Sequence, residues 1–163
     1  MTIRIATEAD APATARVHER SIRQLCSAHY SAAQIEDWVA VVSRESHLAL
    51  ITHPALCVIV DEDEAGIRGI GVCEPSSGTV NAVYVAPDAT GQGVGTALLG
   101  CLEAEIVAAG TTQAHLNATL NATTFYERHG YSNGRPAVNT LPSGVELPCV
   151  AYSKELGVKP QNQ

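Results

Sequence analysis

Apolar positions change period several times along the chain. Ile3 and Ile5 alternate with polar neighbours, which predicts a first, half-buried strand. After Asp10 the period lengthens. Val17, Ile22, Leu25 and Cys26 recur at helical spacing behind an Asp10 cap, and Pro12 falls in the first turn, where its missing N–H costs nothing. Ser31 and Gln34 form a capping box for a second helix, with Ile35, Trp38, Val39 and Val42 on one face and Trp38 as a core anchor. Residues 55–60 and 67–73 are β-rich runs joined by the acidic stretch 61–66, which predicts a hairpin with a solvated turn. A calcium loop is excluded there, because Ala65 and Val72 stand where ligand oxygens are needed. A strand over 80–85 leads through a glycine-rich loop into a helix that buries Val94, Leu98, Cys101, Leu102 and Ile106 and ends at Gly110. Strands follow over 113–117, 131–140 and 147–154, the last two turning at Pro142-Ser143-Gly144. Between the first and second of these lies a short helix capped by Asn121 and ended by Gly130.

The resulting order is β, α, α, β, β, β, α, β, α, β, β. Consecutive strands two to four suggest an antiparallel meander, and the later strand–helix–strand suggests a parallel neighbour. The fold class is therefore α/β, with a central mixed, mostly antiparallel sheet of about seven strands flanked by four helices.

Composition changes this picture little. A chain of 163 residues favours one domain, expected over 1–156 with a C-terminal tail at 157–163. That size buries ~68–70% of its unfolded surface, so no staples are needed. The five cysteines are scattered among apolar neighbours without a Cys-x-x-Cys pair, so buried free thiols are expected and no metal. The formal net charge is −7 and the Lys and Arg residues form no run, which argues against nucleic acid as partner. An acidic surface favours a cationic amine, weakly. No apolar stretch is long enough to span a bilayer, and the first residues lack signal-peptide blocks, so no membrane and a cytoplasmic location are expected.

The segment Val83-Tyr84-Val85-Ala86-Pro87-Asp88-Ala89-Thr90-Gly91-Gln92-Gly93-Val94-Gly95-Thr96 carries the chemistry. Amides at a helix start have no intrahelical partners and sit at the positive end of the helix dipole. Glycines let an anion approach the main chain, so strand, loop and helix together make a backbone phosphate cradle. A dinucleotide fingerprint fails, because the third glycine position holds Thr96 or Leu98. A Walker A loop fails for want of its lysine.

The loop instead resembles the acyl-CoA loop of the GNAT superfamily of N-acetyltransferases, Arg/Gln-x-x-Gly-x-Gly/Ala after a hydrophobic-x-Val-x-Pro strand end. Gly93 and Gly95 fill the glycine positions, and Val83, Val85 and Pro87 fill the strand end. Thr90 departs from the Arg or Gln of the pattern and so lacks its side-chain contact to the pyrophosphate. A second motif, Asn-x-x-Ala-x-x-Phe/Tyr-Tyr-Glu-x-x-Gly-Phe, is matched by Asn121, Phe125, Tyr126, Glu127, Gly130 and Tyr131, with Thr124 in place of alanine. The element order is also that of the family, so the resemblance covers nearly the whole chain of a single-domain, bacterial-type member.

The resemblance implies a cleft between the fourth and fifth strands and acetyl-CoA (coenzyme A) as co-substrate. It implies transfer of the acetyl group to a primary amine of a small molecule or peptide by direct attack in a ternary complex. Val83 and Val85 would pair with the pantetheine arm through their main chain. Gly91, Gln92, Gly93, Gly95 and Thr96 would hold the pyrophosphate, and Asn121 would touch the arm. Tyr126 would donate the proton to the departing thiolate, and Phe125 would face the core. No residue is an obvious base. Glu74, at the end of the third strand, is the best-placed carboxylate, with Asn81 as a water holder and His29, His115 and Tyr30 as further options. Tyr30, at the break between the first two helices, is the expected acceptor contact. A homodimer is the assembly many such proteins form. Because a base is lacking and Thr90 departs from the pattern, a non-catalytic acyl-CoA-binding sensor or partner subunit stays open as the alternative, as does an unrelated phosphate-ligand module.

Overall fold

The computed structural model describes residues 2–157, so the expected tail lies, beyond Gly157, outside the described residues. The elements are β1 (Thr2–Ile5), α1 (Ala11–Leu25), α2 (Ala32–Ala40), α3 (Arg44–Thr52), β2 (Cys57–Asp63), β3 (Gly66–Glu74), β4 (Thr79–Val85), α4 (Val94–Ala108), β5 (Gln113–Thr119), α5 (Thr123–Arg128), β6 (Ser132–Thr140) and β7 (Glu146–Glu155). The strands form one sheet in the order β1-β2-β3-β4-β5-β7-β6. Every pairing is antiparallel except β4 with β5, which is parallel.

The two faces of β2–β4 carry different side chains. Val58, Val60, Ile70, Val72 and Tyr84 share one face by register, where the Tyr84 ring stacks on His18 of α1 at 3.9 Å. Gly69, Gly71 and Cys73 line the other, beneath α4. That helix buries Val94, Leu98, Leu99, Leu102 and Ile106, each contributing about 1.5–3 kcal/mol. It lies so close that a Cβ on Gly69 would stand 2.8 Å from both Leu98 and Val94. Leu99 joins this core beyond the expected positions, while Cys101 is only half-buried. A second apolar cluster joins Ile22, Cys26, Tyr30, Ile35, Trp38 and Val39 of the α1–α2 region to Leu147 of β7. All five cysteines are free, and Cys26, Cys73 and Cys149 are buried.

Four expectations need correction. There are five helices, not four, among the described residues. The additional one, α3, opens on a reciprocal pair of serines: Ser46 N–H donates to Ser43 Oγ (3.0 Å) and Ser43 N–H to Ser46 Oγ (2.9 Å). It buries fully only His47, so it shows no apolar stripe. Asp10 does not cap α1 through its side chain. Arg4 and the Thr7 amide hold that carboxylate, at 2.8 and 2.7 Å, and with Arg4 as the larger cause lower its pKa to about 2. The hairpin forms as expected and its tip at 63–66 is exposed, but the solvated turn is shorter than the acidic stretch 61–66. The strands run on to Asp63 and from Gly66, and Asp61 is fully buried. Its Oδ1 accepts from Arg68 Nε and Nη2 at 3.0 and 2.7 Å. Finally, the residue before α5 is Ala122 rather than Asn121.

Candidate active site

The parallel neighbours β4 and β5 are in register at one place only, Thr79 opposite His115. There the His115 amide donates to Gly78 O at 3.0 Å. Gly78 makes this joint possible: its φ is +77° and a Cβ would lie 2.1 Å from Gln113 O. Beyond the joint the ladder stops and the strands part. The Ala86 amide donates to Arg68 O of the β3 side at 2.7 Å. Alternation along an antiparallel pair then turns the N–H and C=O of Tyr84 and Ala82 toward β3, and those of Val83 and Val85 toward the gap. The sheet thus carries an unpaired strand edge in its middle.

A cavity of about 350 Å³ occupies this gap, with Val83, Tyr84, Val85, Ser21, Asn121 and Tyr126 among its walls. It runs into a hollow of about 240 Å³ at the glycine loop, and the two share Val85, Thr90, Gly95 and Phe125. Gly91 and Gly93 sit at φ +76° and +81°, the left-handed region that glycine enters without strain. Gly93 is the residue before α4. The amides of Gly93, Val94, Gly95 and Thr96 have no backbone acceptor among the described residues. Four free donors at the positive end of a fifteen-residue helix fit an anionic diphosphate without any basic side chain.

Side chains of the expected cofactor site divide. Gln92 turns away from the hollow: its Nε2 donates to Asp88 O (3.2 Å) and its Oε1 accepts from Arg68 (3.4 Å). Thr90 donates to Pro87 O at 2.9 Å. Thr96 Oγ1 lies 3.0 Å from His129 Nε2, whose ring donates through Nδ1 to Phe125 O at 2.7 Å, so the threonine hydroxyl is the donor to His129. Asn121 lines the cleft and its Oδ1 lies 3.4 Å from Cys26 Sγ. Phe125 packs against the core from a half-buried position and also walls the loop, with its ring 3.3 Å from where a Gly95 Cβ would be. Tyr126 is the more buried of the pair and still faces the cleft. Its hydroxyl has no hydrogen-bond partner among the described residues, and burial raises its pKa above the ordinary value of about 10, so it stays a proton donor.

Tyr30, Glu74 and His29 do not meet there. Tyr30 is buried and its hydroxyl is fully used: it donates to Pro148 O (2.6 Å) and accepts from the Leu120 amide (3.1 Å). It straps the α1–α2 turn to β7 and lines neither cavity. Glu74 ends β3 at the turn into β4 and lines neither cavity, and His29 stands on an exposed turn.

A second, larger cavity of about 660 Å³ opens on the bare face of β5, β7 and β6. Along β5, Ala114, Leu116 and Ala118 are buried while Gln113, His115 and Asn117 point outward. The α1–α2 cluster covers only the Leu147 end of this face, which leaves a polar bowl at the other end. The bowl and the cleft share Val80, Asn81 and Asn117, so they meet at the parting of β4 and β5. His115 lies in its wall. The Ser77 carbonyl, 3.0 Å from Nε2, can only accept. The ring therefore carries its hydrogen on Nε2 and presents the Nδ1 lone pair.

The family model for the GNAT acetyltransferase domain matches residues 26–140. The chain belongs to the GNAT family, and it is an acyl-CoA-dependent acetyltransferase. Among solved structures it is similar to a GCN5-related N-acetyltransferase from Rhodopseudomonas palustris, with 26% identity over 95% of each chain and a TM-score of 0.87. The PaiA N-acetyltransferase of Thermoplasma acidophilum, solved with coenzyme A, shares the fold at 18% identity, covering 94% of this chain and 98% of that one, with a TM-score of 0.77. So does YncA of Salmonella typhimurium, solved with acetyl-CoA, at 22% identity over 98% and 96% with a TM-score of 0.68. No curated protein matches the chain. Among the described residues no helix is long and apolar enough to cross a membrane.

Proposed function

We propose that this acetyltransferase moves the acetyl group of acetyl-CoA onto a primary amine of a small molecule or peptide, by direct attack in a ternary complex. One observation carries the reading: two cavities of unlike chemistry meet at the same gap in the sheet and share Asn81 and Asn117. The cleft side offers main-chain groups to a long, anionic ligand. The bowl side offers amides, hydroxyls and an imidazole to a small polar one.

Acetyl-CoA supplies the acyl group as a thioester. The new bond joins the amine nitrogen to the acyl carbon, and the carbon–sulfur bond breaks. One proton must leave nitrogen and one must reach sulfur. Val83 and Val85 hold the pantetheine arm as an added strand, and Gly91 through Thr96 hold the pyrophosphate through their amides. Tyr126 gives its hydroxyl proton to sulfur. His115 Nδ1 takes the proton from the amine: of the candidate bases it alone combines a place in the bowl with a lone pair fixed by its neighbour. The outward β4 amides stabilise the negative charge that develops on the acyl oxygen.

The test is acetyl-CoA-dependent thermal stabilisation together with thiol release in a panel of amines. Saturation at a hundredfold over Kd stabilises the fold by ~2.7 kcal/mol. Stabilisation with amine-dependent thiol release is expected. Stabilisation without turnover in any amine would instead favour a non-catalytic acyl-CoA sensor.

A further inference from the structure

We infer that the acceptor amine also carries a carboxylate and that Arg135 binds it. The inference rests on the bowl being the acceptor side. Arg135 lines the bowl and is the one permanently charged residue in its wall; no Asp or Glu lines it. The Glu155 carboxylate accepts from Gln113 Nε2 at 2.8 Å but is not part of the wall. The cations Arg4, Arg20, Arg23, Arg68 and Lys154 each pair with an Asp or Glu. Arg135 makes no ion pair and no side-chain hydrogen bond among the described residues. Arg16, Arg44 and Arg128 likewise make no ion pair among the described residues; Arg135 differs from them in lining a cavity, one whose wall holds no acid.

The backbone shows how Arg135 comes to face the bowl. Ser132 is opposite Ser153 and Arg135 is opposite Ala151, so β6 holds one extra residue between them. Without it, the register set at Ser132 would put Arg135 opposite Val150, on the α4 face. The bulge is shaped by Asn133, at φ +58°, and by Gly134, where a Cβ would come within 2.8 Å of the Tyr152 ring. Bulges of this kind re-aim side chains beside functional sites. Arg135, Ala151 and Asn117 then form one cross-strand row. The small Ala151 leaves the floor open between the guanidinium and the gap where the amine must react. Two strand spacings separate the backbones of Arg135 and Asn117 by roughly 10 Å. An extended arginine side chain is long enough to reach over much of that span, and what remains matches the short amine-to-carboxylate frame of an amino acid. A planar guanidinium fork matches a carboxylate through two parallel hydrogen bonds. A cationic acceptor would meet an unpaired like charge, so the amine expected from the acidic surface as a whole is not the one this bowl suits.

The experiment compares kcat/KM for matched pairs, free α-amino acids and β-alanine against their carboxamides, together with polyamines and phosphoethanolamine. Wild type and the variants R135A, R135K and R135E are measured, each with its acetyl-CoA affinity and Tm. In wild type the carboxylate member of each productive pair is expected to be favoured about tenfold or more. R135A should lose that preference through KM while keeping acetyl-CoA affinity and Tm. R135K should keep part of it, and R135E should reverse it. Equal or better use of the carboxamides, the polyamines or phosphoethanolamine, or a preference that survives R135A, overturns the inference and leaves amine acetylation standing. No turnover of any member by the acetyl-CoA-saturated enzyme overturns the amine reading and this inference with it.

Discussion

The two sides of the gap between β4 and β5 are built from different material. On the cleft side the working groups are main-chain amides and carbonyls, exposed by a missing strand partner and by left-handed Gly91 and Gly93. On the bowl side they are side chains from four strands, Asn81, His115, Asn117, Arg135 and Ser153 among them. The cleft is a property of backbone geometry and tolerates change in most side chains. The bowl is a property of register, and one bulge in β6 determines which side chain enters it. Cofactor use and acceptor choice can therefore change independently on one scaffold.

The contrast is broken most severely by charge in the cradle. G95D places a carboxylate among the free amides of α4, where the diphosphate binds. Like charges about 4 Å apart at an effective dielectric of ~20 repel by ~4 kcal/mol, so CoA affinity should fall about 10³-fold. G95A adds only a Cβ that must move the Phe125 ring by a few tenths of an ångström. It should cost less than about tenfold in Kd, since a single crowded methyl is typically a ~1 kcal/mol effect. Equal losses in the two variants by calorimetry would assign the effect to packing rather than to the cradle.

Next in size is Y126F, which keeps the ring and removes the hydroxyl in the cleft. The chemical step should slow by ~10²-fold with CoA affinity and Tm preserved. A single-turnover rate equal to wild type would leave Tyr126 a packing residue. Y30F should behave in the opposite way. It leaves the Pro148 carbonyl and the Leu120 amide without their partner, so stability should drop by about 1–3 kcal/mol while the amine KM stays unchanged. A raised KM in a variant of unchanged stability would return Tyr30 to the acceptor site.

The effect that is smallest at neutral pH concerns the wall behind the cleft. His18 stacks on Tyr84, and its Nδ1 lies 3.1 Å from His47 Nε2; His47 Nδ1 lies 3.0 Å from Thr14 Oγ1, which donates to Ala11 O. That carbonyl fixes both rings as neutral tautomers and leaves His18 Nε2 buried without a partner. Burial first, and His47 second, lower the His18 pKa to about 3, and burial lowers that of His47. Below the unfolded value of about 6.5 the unfolded chain takes up protons that the folded chain refuses, so stability falls with pH from about 6.5 toward 3. Each histidine contributes at most ~1.4 kcal/mol per pH unit. H18F together with H47L should flatten this dependence in urea melts; an unchanged slope would show that other groups carry it.

The same contrast explains what could be read from the residues alone. Backbone sites need glycine and proline at fixed spacing, so Val83 through Thr96 announced the cleft, and the loop after Pro87 follows it closely. The meander and the parallel β4–β5 neighbour followed from strand order. The bowl had no such signature, because Asn81, His115, Asn117 and Arg135 meet only through register across β4, β5, β7 and β6. The alternation of Gln113, His115 and Asn117 with Ala114, Leu116 and Ala118 marked one polar face, but nothing in it named the partners. The extra residue before Arg135 hid behind an ordinary Asn-Gly pair. Asp61 looked like part of a turn because its partner, Arg68, lies on the following strand. Helix α3 lacked an apolar stripe, and Tyr30 carried no sign that both capacities of its hydroxyl were taken.

The division between a main-chain cofactor side and a side-chain acceptor side is read most directly in a ¹⁵N-edited NMR titration of the wild-type protein with coenzyme A. The amides of Val83, Val85 and Val94 through Thr96 should show the largest shifts and gain protection from exchange, while those of Ser132 through Arg135 stay close to their free positions. Shifts concentrated on β6 and β7, with the Val83–Val85 edge and the start of α4 unmoved, would contradict it.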